Sequence, residues 1–201
     1  MLDKSLIYKD IVMCLPFDRL DDLVVPVLPE GFSFRMFVPG DEVAWAHLEV
    51  LVGEFSCFSD ALEYFSGTFL AHRGLLCDRV CFIVNDMGEI VATTSAWFKV
   101  DGRERFPLIH WVAVDPSYQG LGLGRAIVLF ALSRFPVVEP DGKFVFLHTH
   151  TWAWKAVCMY QKLGFRITKK ALPNSRTDFS CLDVLKDVID EDIFCDLIEK
   201  Y

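Results

Sequence analysis

The sequence has no run of apolar residues approaching the roughly 20 that a membrane-spanning helix needs. Stretches such as Ile127–Leu132 stop far short, so no membrane association is expected. The first ten residues, Met1 to Asp10, scatter charges where a secretion signal would carry its continuous apolar segment, so no such signal is expected. Seven cysteines, at positions 14, 57, 77, 81, 158, 181 and 195, make an odd set with no CxxC pair. That pattern indicates neither a zinc site nor a disulfide framework, and reduced thiols in a cytoplasmic setting are the simplest expectation. Basic residues are in deficit: 20 Lys and Arg stand against 28 Asp and Glu, a formal net charge of −8. A general nucleic-acid binder needs a basic face, so nucleic acid is not an expected partner. Pro, Gly and Ser never gather into a long linker, and no repeat is visible, which leaves a single domain over residues 1–201.

What is present is abundant apolar material: hydrophobic residues make up 53% of the chain and aromatic ones 14%, including 18 Phe. Residues 32–38 read as a first strand, and Pro39-Gly40-Asp41 turns the chain into a helix from about Glu42. A second helix, with Ser59 as its N-cap, runs through Leu62, Phe65 and Phe69. Val80–Val84 and Ile90–Trp97 flank Asn85-Asp86-Met87-Gly88-Glu89, the chemistry of a hairpin. Residues 106–114 form another strand, followed by an apolar helix from Leu123 to about Arg134, a strand over 143–149, a helix over 152–163 stopped by Gly164, and a strand over 165–168. Leu182, Leu185, Val188, Ile189, Ile193 and Leu197 put one apolar face on a C-terminal helix over 181–201, which packs on the body or forms a homodimer contact; monomer and homodimer both remain open. The order predicts an α/β fold around a mixed sheet.

The informative segment joins strand, turn and helix in Val112-Ala113-Val114-Asp115-Pro116-Ser117-Tyr118-Gln119-Gly120-Leu121-Gly122-Leu123-Gly124-Arg125. Glycines at such a junction let the backbone approach a ligand, and the first N–H groups of the helix, lacking carbonyl partners, make an anion site suited to a pyrophosphate. A P-loop requires Lys and Ser or Thr after its last glycine, where this chain has Arg125-Ala126. The dinucleotide pattern GxGxxG fails from Gly120, which meets Arg125, and from Gly122, which meets Ile127. A nucleotide-binding oxidoreductase is thereby disfavoured. Gln-x-x-Gly-x-Gly fits, as Gln119, Gly122 and Gly124.

That turn resembles motif A of the GCN5-related N-acetyltransferases, and Val112-Ala113-Val114-Asp115-Pro116 resembles the bulged strand leading into it. Downstream, Tyr160-Gln161-Lys162-Leu163-Gly164-Phe165 resembles the Tyr-x-x-x-Gly-Phe signature of the same family's motif B. The likeness covers about residues 32–168. It departs from the pattern at Ala153, where the family often has Asn, and in the tail, where no closing strand is evident.

The resemblance implies a mostly antiparallel central sheet flanked by helices, with an extra helix at the C-terminus. It also implies acetyl-CoA as cosubstrate, held by Val112, Val114, Gln119, Gly120, Leu121, Gly122, Gly124 and Arg125. The backbone N–H of Val112 would stabilise the oxyanion, Val114 would pair with the pantetheine arm, and Tyr160 would protonate the leaving thiolate. His110, with an ordinary pKa of ~6.5, is the candidate acceptor of the amine proton, and its placement resembles a histidine of the arylalkylamine N-acetyltransferases. A buried structural His110 is the competing reading. His148 and His150, two residues apart, lack a third ligand, so no metal is expected. Trp97, Trp111, Trp152 and Trp154 offer an aromatic wall or core packing. The expected acceptor is a primary amine of a small molecule, attacked in a ternary complex. Protein lysines or N-termini are the alternative acceptors, and a non-catalytic acyl-CoA-binding module is the rival of another class.

Overall fold

A computed structural model describes residues 2–170 and 172–198. Its elements, in chain order, are β1 (Asp10–Pro16), β2 (Phe32–Met36), α1 (Asp41–Leu51), α2 (Phe58–Thr68), α3 (Leu76–Arg79), β3 (Val80–Asn85), β4 (Ile90–Asp101), β5 (Glu104–Val114), α4 (Leu123–Leu132), α5 (Phe135–Val138), β6 (Phe144–His150), α6 (Trp154–Lys162), β7 (Arg166–Ile167), α7 (Cys181–Leu185) and α8 (Glu191–Cys195). The strands follow the order β2-β3-β4-β5-β6-β1-β7. The pairings of β2 with β3, β3 with β4, and β1 with both β6 and β7 are antiparallel, as expected for a mostly antiparallel sheet flanked by helices.

Two units make up the chain. One comprises Val24–Trp97 and Ile109–Pro140; the other comprises the chain up to Leu23, Phe98–Leu108 and the chain from Asp141 on. Strands β4 and β5 contribute residues to both.

In the first unit the β3–β4 hairpin follows from its turn residues. The Asn85 side-chain oxygen accepts from the N–H groups of Met87 at 3.1 Å and Glu89 at 2.9 Å, and Gly88 takes φ +79°, a conformation that glycine adopts without a Cβ penalty. Helix α1 begins behind Gly40. Asp41 is tied to Arg35 through two hydrogen bonds of 2.8 and 2.9 Å and accepts from the Val38 N–H at 2.7 Å, fixing the entry of the chain into the helix. Helix α2 starts two residues earlier than predicted. Its N-cap is Cys57, without a side-chain capping bond, and Ser59 lies inside the first turn, where its hydroxyl contacts Cys57 Sγ at 3.0 Å. Trp45, Phe65, Phe69, Phe82 and Trp97 fill the core between these helices and the sheet.

The second unit contains a strand that the sequence reading misses. Strand β1 pairs with β6 along its whole length, from Asp10 opposite His150 to Pro16 opposite Phe144, and also with β7. Five of its residues in succession, Ile11 to Leu15, are buried, so it shows none of the alternation by which a half-exposed strand announces itself. The expected C-terminal helix over 181–201 is instead two short helices, α7 and α8, separated by a turn through Asp187 and Val188. Residues 199–201 of that prediction lie outside the described residues. Asp190 precedes α8 in extended conformation, so one helical period does not run through the tail. In place of a closing strand, Ile167 makes a single parallel bridge to Ile198, and its N–H donates to the Leu197 carbonyl at 2.8 Å.

One buried ion pair ties α3 to the segment after α4. Arg79, 3% exposed, donates to Glu139 at 2.6 Å, to the Val138 carbonyl at 2.8 Å and to the Ala96 carbonyl at 3.1 Å. Removing one partner of such a pair strands a charge in the core, so Glu139→Ala should lower the unfolding free energy by roughly 3–5 kcal/mol in chemical denaturation. Replacing both partners, as in Arg79→Met with Glu139→Leu, should recover most of that loss. An equal loss in the double variant would show that the pair does not act as a unit.

Candidate active site

Strand β5 leaves the sheet under tight control. The Asp115 N–H donates to the Val91 carbonyl at 2.9 Å, the Asp115 side chain accepts from the Ser117 N–H at 2.7 Å, and Pro116–Tyr118 form one turn of 3₁₀ helix. The Gln119 side chain reaches back to donate to the Val114 carbonyl at 3.0 Å, which closes the loop on the end of the strand.

Gly120 and Gly122 then take φ +83° and +81°. Non-glycine residues adopt this left-handed conformation at a cost of about 1–2 kcal/mol each. A Cβ added at either position would meet no atom within 4 Å, so the glycines serve backbone shape and leave open space rather than relieving a tight contact. Gly122 is the N-cap of α4, no side chain caps that helix, and the Ala126 N–H donates to the Gly122 carbonyl. A ten-residue helix thus begins in the open at residues 120–122, all of them exposed. The residues predicted to hold a diphosphate, Gln119 to Arg125, are together on this turn, with Gly124 in the first turn of the helix and Arg125 exposed beside it.

Upstream, the expected irregularity of β5 is centred on Trp111, which has φ +55° in mid-strand. Trp111 therefore interrupts the regular alternation of side chains between His110 and Val112. A left-handed tryptophan costs on the order of 1–3 kcal/mol and persists only where its surroundings over-determine it. The surroundings are aromatic: the Trp111 ring lies 5.8 Å from Trp45, 5.0 Å from Phe55, 5.0 Å from Tyr64 and 5.5 Å from His110, centroid to centroid. At about 0.5–1.5 kcal/mol for each aromatic pair, these contacts outweigh the strain. His110 is half-buried; its Nε2 lies 3.4 Å from the Tyr64 hydroxyl, and its carbonyl accepts from Thr94 Oγ1 at 3.2 Å.

Sequence reasoning misses Tyr64 and Phe69 as neighbours of His110, and Trp45 and Phe55 as neighbours of Trp111. It also misses Glu49, which is fully buried on α1, where burial pushes its carboxyl well above the usual range and the negative charge of Glu54 adds to the effect.

In the second unit Tyr160 lies on α6, 5% exposed, with its ring 6.0 Å from Phe165. His148 lies 3.0 Å from Asp10, and the His150 ring is tilted against Tyr8, centroids 5.0 Å apart, with its pKa lowered first by burial and then by His148. Among the described residues no group of three or more His, Cys, Asp or Glu is arranged to hold a metal ion. In this unit Trp152 donates to the Leu6 carbonyl at 2.8 Å and Trp154 lies under the Lys155 ammonium; in the first unit Trp97 packs on Phe69 and Trp111 on Trp45. A cavity of about 460 Å³ in this unit is lined by Asp101, Phe106 and the 172–176 loop, and none of the predicted site residues borders it. No helix among the described residues is long and apolar enough to cross a membrane.

The family model described as an acetyltransferase (GNAT) domain matches residues 77–167. The mycothiol acetyltransferase of Streptomyces griseus is 32% identical over 154 residues, covering 72% of this chain and 46% of that protein. The chain spans about half the length of the curated relatives it matches. Among solved structures, a GCN5-related N-acetyltransferase from Sphaerobacter thermophilus is similar with a TM-score of 0.59 at 21% identity, covering 81% of this chain and 49% of that one. A tandem GNAT protein from the clavulanic acid biosynthesis pathway is similar with a TM-score of 0.60 at 22% identity, covering 80% and 50%. The glycine turn opening a helix, the irregular strand before it, the strand order and the matched domain converge: the chain belongs to the GCN5-related N-acetyltransferase superfamily.

Proposed function

We propose that this protein transfers the acetyl group of acetyl-CoA to a primary amine of a small molecule. The observation that carries the reading is the uncapped start of α4, where left-handed Gly120 and Gly122 open the backbone to an anion. The diphosphate of CoA fits the donors available there, since a helix N-terminus supplies N–H groups and positive potential together. The names of the mycothiol acetyltransferase relatives support a small acceptor.

Acetyl-CoA, when bound, supplies an acyl carbon activated by a thiolate leaving group, which the amine attacks directly in a ternary complex. Residues 119–125 hold the diphosphate. Val112 contributes its N–H to the carbonyl oxygen as negative charge develops there, and Val114 pairs with the extended arm of the cosubstrate. His110, half-buried beside the Tyr64 hydroxyl, takes the proton that the amine must lose. The assignment of Tyr160 as proton donor to the departing sulfur rests on its motif B position. Cys158, half-buried with its thiol pKa raised by burial, is a poor nucleophile, which favours direct transfer over an acyl-cysteine route.

Thiol release from acetyl-CoA over a panel of amines, amino acids, polyamines and peptides should show turnover with small primary amines. His110→Ala combined with Tyr160→Phe should cut that turnover by roughly a hundredfold or more. CoA affinity, measured by calorimetry, should stay at the parent value. Undiminished turnover would remove both assignments, and CoA binding with no turnover on any amine would leave an acyl-CoA-binding module. Gly122→Val forces a branched side chain into the left-handed region and should weaken CoA binding by about tenfold. Equal CoA affinity in the two proteins would exclude the α4 start as the diphosphate site.

A further inference from the structure

Glu49 lies one helical turn beyond Trp45 on α1, so the two side chains leave the same face of the helix. It is 0% exposed, and neither carboxyl oxygen has a hydrogen-bond partner. Buried carboxyls are almost always bonded, and an unbonded one that persists in a packed core needs an explanation. The indole N–H groups of Trp45, one turn away on the same helix, and of Trp111, which packs on Trp45, are likewise buried and without an acceptor. The Trp45 and Trp111 rings meet edge to face at 5.8 Å.

The rest of the cluster is the kind of surface that receives a cation. Trp45 stacks on Tyr64 with ring planes 13° apart, and Phe55 lies 6.0 Å from Trp45 and 5.6 Å from Tyr64. Trp45 is fully buried and forms the floor, while Phe55, Tyr64 and Trp111 are half-buried and form a rim reached by solvent. Aromatic faces attract ammonium groups, and a carboxylate behind them supplies the opposite charge that lets such a group leave water. His110 borders the same rim through its contacts with Tyr64 and Trp111.

We propose that Glu49 and the rings of Trp45, Phe55, Tyr64 and Trp111 form the acceptor-binding site, which takes its amine in the cationic ammonium form. This assignment rests on the acetyl-transfer reading for its biological meaning, but the binding of a cation is independent of it. Burial, and after it the charge of Glu54, push the Glu49 carboxyl well above the usual range; an ammonium at the rings provides the partner against which it ionises. Glu49 thereby sets specificity: acceptors that are cationic at assay pH are favoured over those that are neutral. It is assigned to recognition: the bound ammonium passes one proton to His110, which frees the nitrogen lone pair for attack. The second nitrogen proton leaves to solvent after the C–N bond forms and the C–S bond breaks, the departing thiolate being protonated by Tyr160.

Two measurements test this. The first uses phenyltrimethylammonium, a cation that cannot be acetylated, titrated against tryptophan fluorescence. The parent protein should bind it with quenching, and Glu49→Gln, which keeps the shape of the neutral acid, should bind roughly tenfold or more weakly. The second compares kinetics with benzylamine, an ammonium at neutral pH, and aniline, a neutral amine. Glu49→Gln should raise the KM for benzylamine by roughly tenfold while leaving its kcat, and both constants for aniline, within about twofold. Absence of phenyltrimethylammonium binding to the parent protein overturns the proposal whether or not the variant folds. Loss of both amines by the same factor assigns Glu49 to structure alone and also overturns it. Cation binding without turnover on any amine would retain the site and discard the acetyl-transfer reading.

Discussion

The arrangement depends on the start of α4 facing outward with no side chain across it. Serine, threonine, aspartate or asparagine at the N-cap would bond to the first N–H groups and stabilise the helix by about 1 kcal/mol. The chain places Gly122 there instead, in the left-handed region, and forgoes that gain. The helix is secured elsewhere. Leu123, Ala126, Ile127, Val128, Leu129, Ala131 and Leu132 are all buried, and this apolar contact far exceeds the value of one capping bond. Stability from the buried length of α4 therefore leaves its first turn at liberty to meet an anion.

The same division of labour explains Trp111. Its left-handed backbone redirects the strand just before the loop that presents the glycines, and the strain is held by ring contacts to residues of α1, α2 and the loop between them. Those helices thus brace the irregular strand, besides covering one face of the sheet. Any change that loosens the packing of Trp45 or Tyr64 acts on the course of β5 as well as on the aromatic cluster. Substitutions far in sequence from the glycine turn should accordingly alter it through packing rather than contact.

Much of this was legible in the residues. The hairpin at Asn85–Glu89 was readable because its turn is local, each bond joining residues at most four apart. The glycine turn was readable because spacing alone separates it from its two rivals, and its backbone geometry matches that expectation. Strand β1 was not, since it is buried on both faces and its partners β6 and β7 lie more than a hundred residues away in sequence. The tail misled for another reason: apolar residues at helical spacing continue across Asp187 and Asp190, although the backbone is extended at Asp190. Periodicity records which side chains are apolar and is blind to a break in the chain that keeps them on the same side.

Glu49 marks the deepest limit of the sequence. A glutamate among Ala46, His47, Leu48 and Val50 reads as the polar stripe of an amphipathic helix, yet Ala46, Leu48 and Glu49 are all buried and His47 is exposed. The deciding fact is rotational, since Glu49 follows Trp45 by four residues and Trp45 is the most enclosed ring of the cluster. A natural core accepts an unbonded carboxyl only against a considerable desolvation penalty. A methionine of similar volume would relieve that penalty, so an acid at this position speaks for a ligand that the folded chain alone does not contain. The Trp111 backbone and the Glu49 carboxyl are two unfavourable features adjoining a single aromatic cluster. Strain and buried ionisable groups concentrate where recognition or chemistry requires them, and the same aromatic cluster borders the histidine that the sequence had already singled out.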